Sequence, residues 1–186
     1  MIIAWPADAK FFEGLLEADG RELVRAQRGG CPRCGERLDR ADFPRKPRGI
    51  PTAWEGLFSR RFSLCCSREG CRRRVTPPSV RFLGRRVYAA VVVLAASLSA
   101  LIASTVPSRT LRRWSAWWRG PFVDGVFFRA ARARLMPPVE SAQLPRSLVE
   151  RFWDGALDTT EHALARALAF VSPLTTASPS FSRDGP

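Results

Sequence analysis

The sequence predicts an α+β fold in which a small β ribbon precedes a mainly α-helical region, and three observations carry that expectation. Five cysteines fall into two short clusters, Cys31 with Cys34, and Cys65 and Cys66 with Cys71. The stretch 60–66 alternates in character with period two, as a strand does. Beyond residue 86 apolar residues recur at helical spacing, with prolines and serines marking the breaks between segments.

A chain of 186 residues has room for one ordinary domain or two small ones, and 46% hydrophobic residues suffice for a core, which excludes disorder throughout. Thirty Lys and Arg against seventeen Asp and Glu give a net charge of +13, and all of the cations but Lys10 and Lys46 are arginine. The guanidinium is a planar fork of donors that matches phosphate, so this bias fits nucleic acid; a GC-rich genome would also favour arginine codons. Residues 1–30 carry four basic and five acidic groups, 31–86 fifteen and five, 87–134 seven and one, and 135–186 four and six. The excess therefore lies between Cys31 and Arg134, the footprint that a phosphate-binding surface needs. The stretch 1–6 lacks a cationic start and is followed at once by Asp8, Lys10 and Glu13, which does not fit a signal peptide. The expected location is cytoplasmic, where clustered thiols are reduced and read as metal ligands before disulfides.

Taken in order, a helix is expected over 8–18, with Phe11, Phe12, Leu15 and Leu16 on one side. Residues 21–28 either continue it or lead as a strand into Cys31-Pro32-Arg33-Cys34-Gly35. Two residues between the sulfurs let both meet one ion, and Gly35 permits the tight turn behind them. Prolines and a glycine make 45–51 an extended basic loop. The second hairpin has Cys71 as its outer ligand and Cys65 or Cys66 as its inner one, with Gly70 easing the wider turn. In a strand over 60–66, Phe62, Leu64 and Cys66 share one face and Arg61, Ser63 and Cys65 the other, which favours Cys66. The expected set is Cys31, Cys34, Cys66 and Cys71 around a structural Zn2+, with Cys65 spare. Four thiolates would close the site to water. The single histidine, His162, is remote in sequence, so the metal is expected to be structural and the protein not an enzyme.

After the knuckle come Arg61-Phe62-Ser63-Leu64-Cys65-Cys66, then Cys71-Arg72-Arg73-Arg74, then an uncharged stretch from Val87. This order resembles the N-terminal zinc-ribbon and helix-turn-helix region of insertion-sequence transposases over about residues 29–120. The resemblance implies a DNA-binding, mobile-element-associated bacterial protein. After residue 120 too little sequence is expected for a full transposase catalytic domain, so the family's chemistry is not expected to come with the DNA-binding part.

Residues 87–107 are uncharged, and two readings stay open. One is a membrane-spanning helix near 87–106. The other is two buried helices, 87–96 and 98–103, followed by a turn and a third helix, 109–119, capped by Ser108. In that third helix Leu111, Trp114 and Trp118 form an apolar stripe, and Arg109, Arg112 and Arg113 lie off it. The string from Val106 to Trp114 also resembles the turn and recognition helix of helix-turn-helix proteins. Further helices are expected over 122–135, with Val123, Val126, Phe127 and Ala130 on one face, over 145–152, and up to Val171. The last of these starts at a capping box of Asp158 and Glu161 and carries Leu164, Ala167, Leu168 and Val171 inward.

The expected organisation is an N-terminal helical segment 1–28, a zinc ribbon 29–86, a helix-turn-helix-like region 87–135, C-terminal helices 136–171 and a disordered tail 172–186. Arg72, Arg73, Arg74, Arg81, Arg85 and Arg86 are candidates for DNA phosphate contacts, and Arg109, Arg112 and Arg113 for base contacts. The alternatives are a protein-interaction adaptor with the ribbon as docking module, and a small membrane protein with a cytosolic ribbon.

Overall fold

Asp8 starts the fold by accepting a hydrogen bond from the Lys10 backbone N–H at 2.9 Å, capping helix α1 (Ala9–Gly29). The structure is a computed structural model that describes residues 8–83, 87–155 and 159–176. Of the two continuations open after residue 18, the helical one holds. Phe12, Leu15, Asp19 and Leu23 are all buried at helical spacing, so one stripe runs the length of the helix and a carboxylate belongs to it.

Five short strands follow: β1 (Leu38–Arg40), β2 (Phe43–Pro44), β3 (Arg60–Arg61), β4 (Leu64–Cys66) and β5 (Arg74–Val75). They form an antiparallel sheet in the order β1-β4-β5 and a two-stranded ladder β2-β3. The pairing of Leu38 with Cys66 continues in the same register to Phe43 with Arg61, so both ladders belong to one long hairpin. Where they are interrupted, the Asp42 carboxylate accepts the Ser63 N–H at 3.2 Å and Ala41 N–H donates to Ser63 O at 2.8 Å. The hairpin's far end carries a 3-10 turn (Thr52–Phe58) that brings Phe58 against Phe12 and Phe82, with ring centroids 6.1 and 6.0 Å apart.

From Ala90 on, the described chain is mainly helical: α2 (Ala90–Ala95), α3 (Ala100–Ala103), α4 (Ser108–Trp117), a π segment (Trp118–Phe122), α5 (Val126–Ala131), α6 (Arg146–Arg151) and α7 (Thr160–Val171). Every residue of α2 is buried. It packs against α7 and against the 45–51 loop, where Gly49 lies so close that a Cβ would sit 2.8 Å from Val92 Cγ2. That loop is not wholly unpaired, since Arg48 N–H donates to Val87 O at 2.9 Å. One core unites α1, the 3-10 turn, Phe82, α2, Trp114, Trp118, Phe122, Phe128 and the inner faces of α6 and α7. A second, smaller cluster of Leu23, Cys31, Leu38, Leu64 and Cys66 lies under the hairpin.

Several expected details change. The uncharged stretch 87–107 contains helices of six and four residues, α2 and α3, and among the described residues no helix is long and apolar enough to cross a membrane. Ser108 is the first helical residue of α4, not its cap: Pro107 takes the cap position, and no side-chain cap bond forms. In α5 the buried residue is Phe128, whereas Val126 is 67% exposed and Ala130 is exposed. The π segment and the break at Gly125, where a Cβ would lie 2.9 Å from Pro121 O, reset the helical phase assumed over 122–135. Helix α7 is capped by Thr159, whose hydroxyl accepts the His162 N–H at 3.2 Å; Asp158 lies outside the described residues. Its inward stripe of Leu164, Ala167, Leu168 and Val171 is as expected. Most of the 172–186 tail also lies outside, its described part beginning with a 3-10 turn (Ser172–Thr175).

One buried ion pair joins these parts. Arg81 Nε donates to Asp19 Oδ2 at 2.8 Å, with both side chains 1% exposed. Asp19 also accepts the Ser79 hydroxyl at 2.6 Å and the Val80 N–H at 2.8 Å, while Ser79 N–H donates to the Thr175 hydroxyl at 2.8 Å. The other guanidinium nitrogens of Arg81 reach Leu57 O and, at 3.2 Å, Arg60 O. Removing one partner of such a pair strands a buried charge. Asp19→Ala should therefore cost about 3–5 kcal/mol of unfolding free energy. Glu17→Ala, which removes only the exposed 4.0 Å pair with Arg21, should stay within about 0.5 kcal/mol. Denaturant titration of both variants checks this, and equal effects would contradict it.

Candidate metal centre

The first two sulfurs are set by a turn that glycine alone allows. Gly30 and Gly35 have φ of +70° and +73°, and a Cβ on Gly30 would lie 2.7 Å from Gly35 O. Cys31 N–H donates to Glu36 O and Gly35 N–H to Cys31 O, both at 2.8 Å, closing the turn around Cys31 and Cys34. The second pair hangs from β4 and the turn after it. Cys66 N–H donates to Arg73 O at 2.9 Å, while Cys71 N–H and Arg72 N–H both donate to Arg68 O at 3.0 Å. Gly70 does not carry this turn as expected. It has no positive φ and open space where a Cβ would be, and the left-handed residue is Arg72, at φ +44°.

The four sulfurs of Cys31, Cys34, Cys66 and Cys71 converge within 4.8 Å of one another. Cys31 Sγ lies 3.7 Å from Cys71 Sγ, and Cys34 Sγ lies 3.5 Å from Cys66 Sγ. A disulfide needs about 2.05 Å, whereas four thiolates bound at about 2.3 Å to a tetrahedral ion stand about 3.8 Å apart. The spacing is thus that of an ion's coordination shell. Cys65 is not in the group: it faces the other side of β4, with its Sγ 3.5 Å from Arg72 O. Strand alternation makes this choice, because Leu64 and Cys66 are buried beneath the hairpin and Cys65 between them is not.

The thiols are electrostatically unequal. The Arg33 backbone N–H, joined by that of Cys34, holds the Cys31 thiol down at about 6 in spite of its burial. Burial pushes the Cys66 thiol up to about 12, and the neighbouring sulfurs add to the rise while the Arg68 N–H opposes it. In both knuckles the backbone N–H two residues after the cysteine favours its thiolate. Four thiolates cannot share this small volume without a cation, so the donor set fits a thiophilic divalent metal and leaves no position open to water. The four cysteines are positioned to hold a metal ion.

The candidate arginines are divided. Arg72, Arg73 and Arg74 are exposed directly after Cys71, with Arg74 Nη1 donating to Ala41 O at 3.2 Å. Arg109, Arg112 and Arg113 are exposed on α4, on the side away from buried Trp114. Arg81 does not belong with them: it is buried against Asp19, with its guanidinium 4.6 Å from the Phe62 ring centroid, and has no surface to offer a phosphate. Arg85 and Arg86 lie outside the described residues. Two residues important to the site's surroundings escape the sequence reading: Asp19 is not named there, and Arg61, grouped with Ser63 and Cys65 on the face away from the core, is buried, as is Ser63. Asp19 sits in a helical stripe where a leucine would be ordinary, and that placement was its only signal. Arg61 is 3% exposed, donates to Phe62 O and Pro77 O, and is lowered to about 10 by burial.

Compared with protein-family models, curated proteins and solved structures, the chain finds no match in any of the three.

The purified protein should carry about one metal ion per chain by elemental analysis. Cys66→Ser should lose it and Cys65→Ser should keep it, since only the first removes a converging sulfur. Retention should also weaken as pH falls, because protons compete with the metal for every sulfur. Equal metal content in the two variants would contradict the assignment.

Proposed function

We propose that the chain is a non-enzymatic, zinc-binding DNA-binding protein related to mobile genetic elements. The observation that carries this reading is the convergence of four sulfurs inside the most basic part of the sequence. Zinc is the metal that a closed, tetrahedral, all-thiolate site suits best. Its role is to hold a zinc ribbon in shape, because the apolar cluster beneath the hairpin is too small to do so alone.

DNA would be met on the arginine side. Exposed Arg72, Arg73 and Arg74 beside Cys71 supply phosphate contacts independent of sequence. Helix α3, the turn at 104–107 and α4 serve as the helix-turn-helix-like unit, with Leu111, Trp114 and Trp118 directed to the core and Arg109, Arg112 and Arg113 directed outward to the bases. The connection to mobile elements rests on the resemblance of the knuckle, the aromatic strand and the basic strand to insertion-sequence transposases.

Retention on duplex DNA should fall steeply with salt, and an Arg109→Ala, Arg112→Ala, Arg113→Ala triple variant should weaken it and reduce the slope of log affinity against log salt by up to about three. Arg81→Met should instead lower stability, leaving that slope unchanged in the folded fraction. Absent or salt-insensitive retention by the wild type would overturn the DNA-binding reading and turn attention to a protein partner.

A further inference from the structure

A cleft of about 450 Å³ opens between the end of α2, the outer side of α4 with its π segment, and the start of α6. Three arginines line it: Arg112 from α4, Arg119 from the π segment and Arg146 at the first position of α6. Ser97 and Ser115 add hydroxyls, and Gln143 closes one side. The amide of Gln143 is engaged by Glu140, Nε2 to Oε2 at 2.6 Å, so the guanidiniums and hydroxyls are what the cleft offers a ligand. No carboxylate lines it.

Some of the chain's other arginines are neutralised by a nearby acid. Arg21, Arg25, Arg37, Arg40 and Arg81 each have an acidic partner within 4.0 Å. Among the described residues Arg112, Arg119 and Arg146 have none, although they share one concave surface. Arg112 and Arg119 are seven residues apart, so two helical turns bring both to the same side, with Ser115 between them. Three cations facing one cavity repel one another, and an oxyanion relieves the repulsion. Guanidinium forks with serine hydroxyls match a tetrahedral phosphate, which accepts several hydrogen bonds at once.

We propose that this cleft binds a phosphate group through Arg112, Arg119 and Arg146, which takes Arg112 from the base contacts to the phosphate contacts. It rests on the DNA-binding reading only for the source of the phosphate, a backbone phosphodiester flanking the bases that α4 meets. The cleft thus adds Arg119 and Arg146, from outside the expected contact set, to the nucleic-acid surface. A small phosphate compound is the other source of the same chemistry.

The test compares the full-length wild type with Arg119→Gln/Arg146→Gln and with Arg119→Lys/Arg146→Lys, all three checked for native circular dichroism. Two readouts are taken: the salt dependence of duplex DNA binding, and the shift in melting temperature on adding inorganic pyrophosphate. Phosphodiester binding predicts a salt slope smaller by about two in the glutamine variant, restored in part by lysine. If wild type binds no DNA but is stabilised by pyrophosphate and the glutamine variant is not, the phosphate site stands and the DNA-binding reading falls. If the slope is unchanged and pyrophosphate shifts neither protein, the site is overturned while DNA binding stands. Loss of both readouts in wild type overturns both.

Discussion

Four sulfurs held within 4.8 Å of one another are the constraint on which the ribbon depends. Its strands are two or three residues long, and the buried cluster beneath them has five members, two of which are themselves converging cysteines. Such a unit cannot offset its conformational entropy by burial alone. The cysteines are therefore both the core and its unsolved problem. Brought together as thiols they crowd, and as thiolates they repel, until a cation takes the place of the protons. Backbone N–H groups at Arg33 and Arg68 favour the thiolates of Cys31 and Cys66, and at Cys66 burial outweighs this until a cation is present.

The ribbon is tied to the helical body through a buried polar seam. Arg81 and Arg61 enter the interior with one carboxylate, Asp19, near both, and carbonyl oxygens of Leu57, Arg60, Phe62 and Pro77 accept the remaining donors. Aromatic rings of Phe58, Phe62 and Phe82 surround the Arg81 guanidinium at 5.9, 4.6 and 5.1 Å. A seam of this kind tolerates few alternative arrangements, because any displacement leaves a charge or a carbonyl without its partner. It sets the orientation of the hairpin relative to α1, and with it the direction in which the exposed arginines after Cys71 point.

How much of this could be read beforehand varies with the range of the interaction. The choice of Cys66 over Cys65 was legible, since it follows from strand alternation among adjacent residues. So was the inner stripe of α7, where no residue breaks the helical period. The length of α1 was hidden because its stripe continues through Asp19, and a carboxylate reads as surface until its partner is known. That partner lies 62 residues away, which is also why Arg81 passed for a phosphate contact. The buried face of α5 was misassigned because a π segment and the close approach at Gly125 shift the phase that a regular helix would keep. Local periodicity predicts faces well only while the backbone stays regular.

The proposed metal centre is one zinc ion inside these four sulfurs. X-ray absorption at the zinc edge of the purified protein measures the shell directly. Four sulfur neighbours at about 2.3 Å, with no oxygen or nitrogen ligand, is the predicted result. A shell with water or nitrogen in place of one or more sulfurs, or no bound zinc, would contradict it.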